Sequence, residues 1–117
     1  MKRFDPSAYW NVRYASGRTS GEGSEGAKAV AKARFINQMI CDNDVHSVVD
    51  WGVGDGHVLS MIADDVDYLG VDISTVAIDR LRHLYRGVEN RSFTTLEQAG
   101  QTEVEADMAI SADVIFH

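Results

Sequence analysis

The 117-residue sequence predicts an α/β fold built on a parallel sheet. Three observations carry that prediction. Short runs rich in β-branched and aromatic residues, "VHSVVD", "YLGVD", "RSFTTL" and "DMAISADVIF", alternate with stretches of helical periodicity, the pattern of parallel strands joined by right-handed crossovers. The first run ends on Asp50 and is followed at once by Gly52, Gly54 and Gly56. The second run also ends on an acid, Asp72. Sheets of this kind take their ligands beyond the carboxyl ends of the strands, at the point where strand order reverses, and both acids fall at such ends.

The elements follow in order. "MKRFDPSAYW" has basic residues but no apolar stretch behind them, so a secretory signal is not expected and a cytoplasmic location is. "SGRTSGEGSEG" holds too little apolar surface to pack and too much backbone freedom to keep one shape unaided, which makes it a loop or flexible lid. Residues 1–26 therefore read as an N-terminal arm and lid, and 27–117 as one ligand-binding domain. In "SEGAKAVAKARFINQMI" the residues Ala27, Ala31, Phe35 and Met39 recur four apart, with Val30 and Ile36 beside them, and predict an amphipathic helix with that face inward. "GHVLSMIADD" predicts a short helix after the glycines. "STVAIDRLRHLYRG" predicts another, capped by Ser74, with Ile78, Leu81 and Tyr85 inward and Gly87 as its stop.

Composition narrows the function classes. With 44% hydrophobic and 25% charged residues the chain is of ordinary globular type, and no apolar run approaches the roughly 20 residues of a membrane helix. The formal charge of −7 argues against a nucleic-acid footprint, where cationic contacts to phosphate supply most of the affinity. The charge is uneven: residues 1–34 carry seven Lys or Arg against three acids, a basic arm on an acidic body. The single Cys41 has no disulfide or CxxC companion and is expected to pack. His46, His57 and His83 have no partner at metal-ligand spacing, so no metal is expected and surface or core roles suit them better. Trp51 serves either as core filler or as a ring against a ligand.

Gly52 and Gly54 permit a tight turn after Asp50, and Gly56 lets the following element start close to whatever lies on the loop. Asp72 falls where a carboxylate can accept hydrogen bonds from both hydroxyls of a ribose. A dinucleotide fingerprint G-x-G-x-x-G begun at Gly52 would need glycine at 57, which is His57; this disfavours a nucleotide-binding oxidoreductase. The pattern is instead D-x-G-x-G-x-G.

"VVDWGVGDGHVL" followed by "YLGVDIS" resembles the first two motifs of the class I S-adenosylmethionine-dependent methyltransferases. "ADMAISADVIFH" resembles their fourth motif, and "YW..RY..G..SGEGSEG" the lead-in of some bacterial and phage members. The resemblance implies a three-layer Rossmann-like parallel sheet of that family's type, truncated here after the fourth strand, so that the chain supplies the cofactor-binding half. It implies S-adenosyl-L-methionine as cofactor and S-adenosyl-L-homocysteine as product. Asp50 would face the amino end of the cofactor's methionine; Gly52, Val53, Gly54, Asp55 and Gly56 would line its cradle. Asp72 would take the ribose hydroxyls, Ile73 would pack on the adenine, and Thr95 and Leu96 would lie near it, although "SFTTLEQ" lacks the family's acid. Ser111 and Ala112 would end beside the methionine portion, and Tyr14, Ser20, Gly21 and Ser24 would close over the cofactor.

Asp113 and His117 are the candidate catalytic groups; Asp113 serves equally as a helix N-cap. Methyl transfer from a sulfonium is an in-line displacement in which positioning and desolvation do most of the work, so a general base is optional. The proline-rich turn typical of amino-methylating DNA enzymes of this superfamily is missing from "SADVIFH". A small-molecule or protein acceptor is expected, with nucleic acid and membrane disfavoured, and self-association through the exposed fourth strand. The alternative is a module that holds the S-adenosyl cofactor or a nucleotide without transferring anything.

Overall fold

Strands form where the sequence concentrates β-branched and aromatic residues. The computed structural model describes residues 26–111. Four strands, β1 (Ser47–Trp51), β2 (Asp67–Asp72), β3 (Arg91–Thr95) and β4 (Met108–Ile110), form one all-parallel sheet in the order β3-β2-β1-β4. The order reverses between β1 and β4: the chain steps outward from β1 to β3, then returns to the other side of β1. The result is an α/β architecture consistent with a Rossmann-like layout.

Alternation along the strands sends their side chains to two faces. Val48, Tyr68 and Phe93 project to the larger core, which is closed by Ala29, Ala33, Ile36 and Ile40 of α1 (Gly26–Asp42) and by Ile78 and Leu81 of α2 (Thr75–Leu84). Val49 and Val71 project to a smaller core, covered by Ala99 of the single-turn helix α3 (Leu96–Ala99) and flanked by Trp51, Leu69 and Val104. Trp51 is thus a packing residue at the edge of the smaller core. No helix among the described residues is long and apolar enough to cross a membrane.

Helix α2 starts and stops as the sequence predicts. Ser74 accepts from the amide of Ala77, Ile78 and Leu81 are buried, and Gly87 takes a positive φ of 83° just beyond the end. Tyr85 is half-buried, its ring tilted against Phe93 at 5.5 Å.

Three expectations are corrected. The buried row of α1 is Ala29, Ala33, Ile36 and Ile40; of the expected face only Ile36 is buried, while Ala27, Val30, Ala31 and Met39 are exposed and Phe35 is 68% exposed. Both rows are apolar at helical spacing, and the contact that decides between them lies elsewhere: the Asn37 amide donates to Met61 O at 2.9 Å and accepts from Ala63 N at 2.9 Å. Those two bonds fix the rotation of α1 about its axis. They also explain the second correction, because the stretch after the glycines forms only a single 3-10 turn, Leu59–Met61. Asn37 captures Ala63 N, Asp55 Oδ1 accepts from His57 N, and Ser60 Oγ donates to His57 O, side-chain bonds that compete with helix extension. Third, Cys41 is exposed near the end of α1 rather than packed.

Candidate functional site

The loop leaving β1 is shaped by its glycines. Gly52, Gly54 and Gly56 adopt φ of 106°, 63° and 79°, a region other residues enter only with strain. At Gly56 a Cβ would also lie 2.7 Å from Leu81 Cδ2, so α2 passes directly beneath the turn. The loop's amides are largely turned inward. Gly52 N and Val53 N both donate to Val71 O, at 2.7 and 3.0 Å, and Gly56 N donates to Val53 O at 3.2 Å. The amides of Gly52, Val53 and Gly56 are therefore spent inside the fold, and the loop is a turn closed on itself. Val53 belongs to this turn through its backbone alone; its side chain is buried against Gly70.

Two acids flank the turn, each held by a different device. Asp50, at the end of β1, is 1% exposed, and its Oδ2 accepts a 2.5 Å hydrogen bond from the Tyr68 hydroxyl. Asp72, at the end of β2, accepts from Gly54 N at 3.0 Å on Oδ2 and from Ser74 N at 2.9 Å on Oδ1. Its carboxyl pKa is raised because burial disfavours the charge; the amides of Ser74, Gly54 and Ile73 pull in the other direction without cancelling that effect. The acid and the glycine turn are thus one hydrogen-bonded unit.

The neighbouring strand ends complete the edge. Asp72 pairs in register with Thr95, which caps α3 by accepting from Gln98 N while the Gln98 side chain reaches back to Thr95 N. Ile73 is half-buried and Leu96 is 46% exposed beside them. On the other side of β1, Ser111 Oγ donates to Trp51 O at 3.2 Å, tying the end of β4 to the end of β1. Asp50, Gly52, Val53, Gly54, Asp55, Gly56, Asp72, Ile73, Thr95, Leu96 and Ser111 are therefore carried by strand ends and loops at one edge of the sheet, next to the reversal of strand order. Tyr14, Ser20, Gly21, Ser24, Ala112, Asp113 and His117 lie outside the described residues. Tyr68 was missed by sequence reasoning, since only the strand register brings it beside Asp50.

His46, His57 and His83 are all exposed. Among the described residues no three His, Cys, Asp or Glu side chains converge as metal ligands would. A shallow depression lined by Ser47, Val104, Glu105, Ala106 and Asp107 lies at the opposite, amino end of β1 and β4. There Asp107 Oδ2 accepts from His46 N and Ser47 N and its own amide donates to Ser47 Oγ, bonds that tie the incoming chain to β1.

Chemically, the carboxyl edge brings together two buried acids, a tight glycine turn and an apolar flank. No family model matches the chain, and no curated protein matches it.

Proposed function

We propose that the chain binds S-adenosylmethionine at the carboxyl edge of its sheet and serves methyl transfer to a small-molecule or protein acceptor. The observation that carries this reading is the hydrogen bond from Gly54 N to Asp72 Oδ2, which makes the glycine turn and the ribose-accepting acid a single element. A sulfonium nucleoside presents a pair of ribose hydroxyls, a cationic amino group and a flat apolar base. Asp72 suits the hydroxyls, since the amides of Gly54, Ser74 and Ile73 hold its carboxylate in place and a carboxylate has about four acceptor sites. Asp50 suits the ammonium, and Ile73 with Leu96 suits the base. The glycine turn suits close approach by the cofactor at Gly52, which is half-buried and carries no Cβ.

The bound cofactor would supply a methyl group already activated on sulfur. The chain's own part is to fix the cofactor against the strand ends and keep water from the reacting centre. Ser111, tied to Trp51, stands at the β4 end, where the methionine portion and the acceptor would meet. The charge of −7 supports an acceptor other than nucleic acid.

Calorimetry with S-adenosylhomocysteine and with NAD tests the reading. Binding of the first and not the second is expected, and the reverse would sink it. Methyl-labelled cofactor offered with a panel of small amines, phenols and peptides then separates an enzyme from a module that only holds the cofactor.

A further inference from the structure

Asp50 is buried on the larger-core face of the sheet, and the strand register decides what can touch it. Val48 pairs with Tyr68 and Asp50 with Gly70, so Asp50 and Tyr68 project to the same face, one pair apart. The residue directly across from Asp50 can offer no partner: a Cβ on Gly70 would fall 2.9 Å from Phe93 Cδ1 and 3.0 Å from Val53 Cγ2. The long side chain one pair below fills the role. Tyr68 is 2% exposed, and its hydroxyl donates to Asp50 Oδ2 at 2.5 Å. Tyr68 is itself held from the far side by Arg91, whose guanidinium carbon lies 5.7 Å from the ring centroid. Arg91 is fixed in turn by donating to Val66 O at 2.5 Å and Ala63 O at 2.7 Å. A line of buried side chains thus runs up the sheet from Arg91 through Tyr68 to the carboxylate at the mouth of the glycine turn.

A carboxyl group with a fixed donor on one oxygen cannot rotate freely, so it is oriented before any ligand arrives. We propose that Tyr68 is a positioning residue for recognition of the cofactor's amino-acid end, acting through Asp50. This rests on the cofactor reading above. The Tyr68 hydroxyl contributes to holding the ammonium-bearing tail and contributes nothing to holding the nucleoside.

The test compares two probes on the full chain: S-adenosylhomocysteine, which carries the amino-acid tail, and 5′-methylthioadenosine, which carries the same nucleoside without it. Tyr68→Phe should weaken the first about ten-fold, the size of one hydrogen bond to a charged group, and leave the second unchanged. Asp50→Asn should show the same selectivity. A residue that only supported the fold would weaken both probes together. If Tyr68→Phe does not fold in buffer, the same pair of titrations in trimethylamine N-oxide, which favours the compact state, gives the comparison. A parent chain that binds neither probe overturns the cofactor reading and this proposal with it. A parent that binds both, with Tyr68→Phe weakening them equally or not at all, overturns this proposal alone.

Discussion

Replacing Asp72 by Asn keeps the side chain's shape and changes only what it can accept. In the folded chain Oδ1 takes Ser74 N at 2.9 Å and Oδ2 takes Gly54 N at 3.0 Å, with the Ile73 amide also bonding the carboxylate, whose remaining acceptor capacity is what a ribose hydroxyl would use. The amide can still accept from one of those backbone groups, but its NH2 then faces the other donor. At least one charge-assisted bond to the ribose is lost, about 1.5–3 kcal/mol, or roughly 10- to 160-fold in Kd. The effect on folding is smaller because two contributions oppose: an amide loses its acceptor, while a carboxylate that burial already disfavours loses its charge. Calorimetry with S-adenosylhomocysteine beside urea melts of both proteins separates the two effects. Unchanged affinity would refute the ribose assignment, and affinity lost only in step with stability would show that Asp72 serves the fold alone.

Other outcomes follow from the same geometry. Because the pKa of Asp72 is raised in the folded state, the native chain holds this proton to higher pH than the unfolded chain does. Its contribution to stability therefore falls as pH rises from the ordinary aspartate range through the raised value, then stays flat. Urea unfolding of the parent and Asp72→Asn across pH 3 to 7 should show that fall in the difference between them, and a difference of opposite slope would contradict it. Gly56→Ala should cost about 1–3 kcal/mol, since alanine must take a φ of 79° with its Cβ 2.7 Å from Leu81 Cδ2. A urea midpoint equal to the parent's would show that the turn relaxes freely. β4 pairs only with β1 among the described residues, and an outer strand invites pairing with another chain. Light scattering should show concentration-dependent association that Ala109→Lys reduces, whereas a monomer at all concentrations would rule out that edge as an interface.

What could be read from the sequence was local. Asp50, the glycines and Asp72 announce their strand ends because turn chemistry and β-branched runs act over a few residues, and Ser74 announces its helix for the same reason. What could not be read depended on distant contacts. Two apolar rows compete on α1, and Asn37, by bonding Met61 O and Ala63 N, chooses the one that is buried. Side-chain bonds from Asn37, Asp55 and Ser60 to the stretch after Gly56 likewise compete with its continuing as a helix. Val53 stands in the middle of the glycine turn, yet its side chain fills the space left by Gly70, a neighbour known only once β1 and β2 are aligned. Tyr68 reads as an ordinary strand aromatic until that same register sets its hydroxyl on Asp50.

The most direct measurement is a titration of the 15N-labelled chain with S-adenosylhomocysteine, followed through the amide resonances of Gly52, Gly54 and Gly56 and their neighbours. Saturable shifts should concentrate on the glycine turn, on Asp72 and Ile73, and on Thr95 and Leu96, with the amino-end residues Ser47 and Asp107 unmoved. Shifts confined to the amino end of the sheet, or none at concentrations that saturate class I methyltransferases, would contradict a cofactor site at the carboxyl edge.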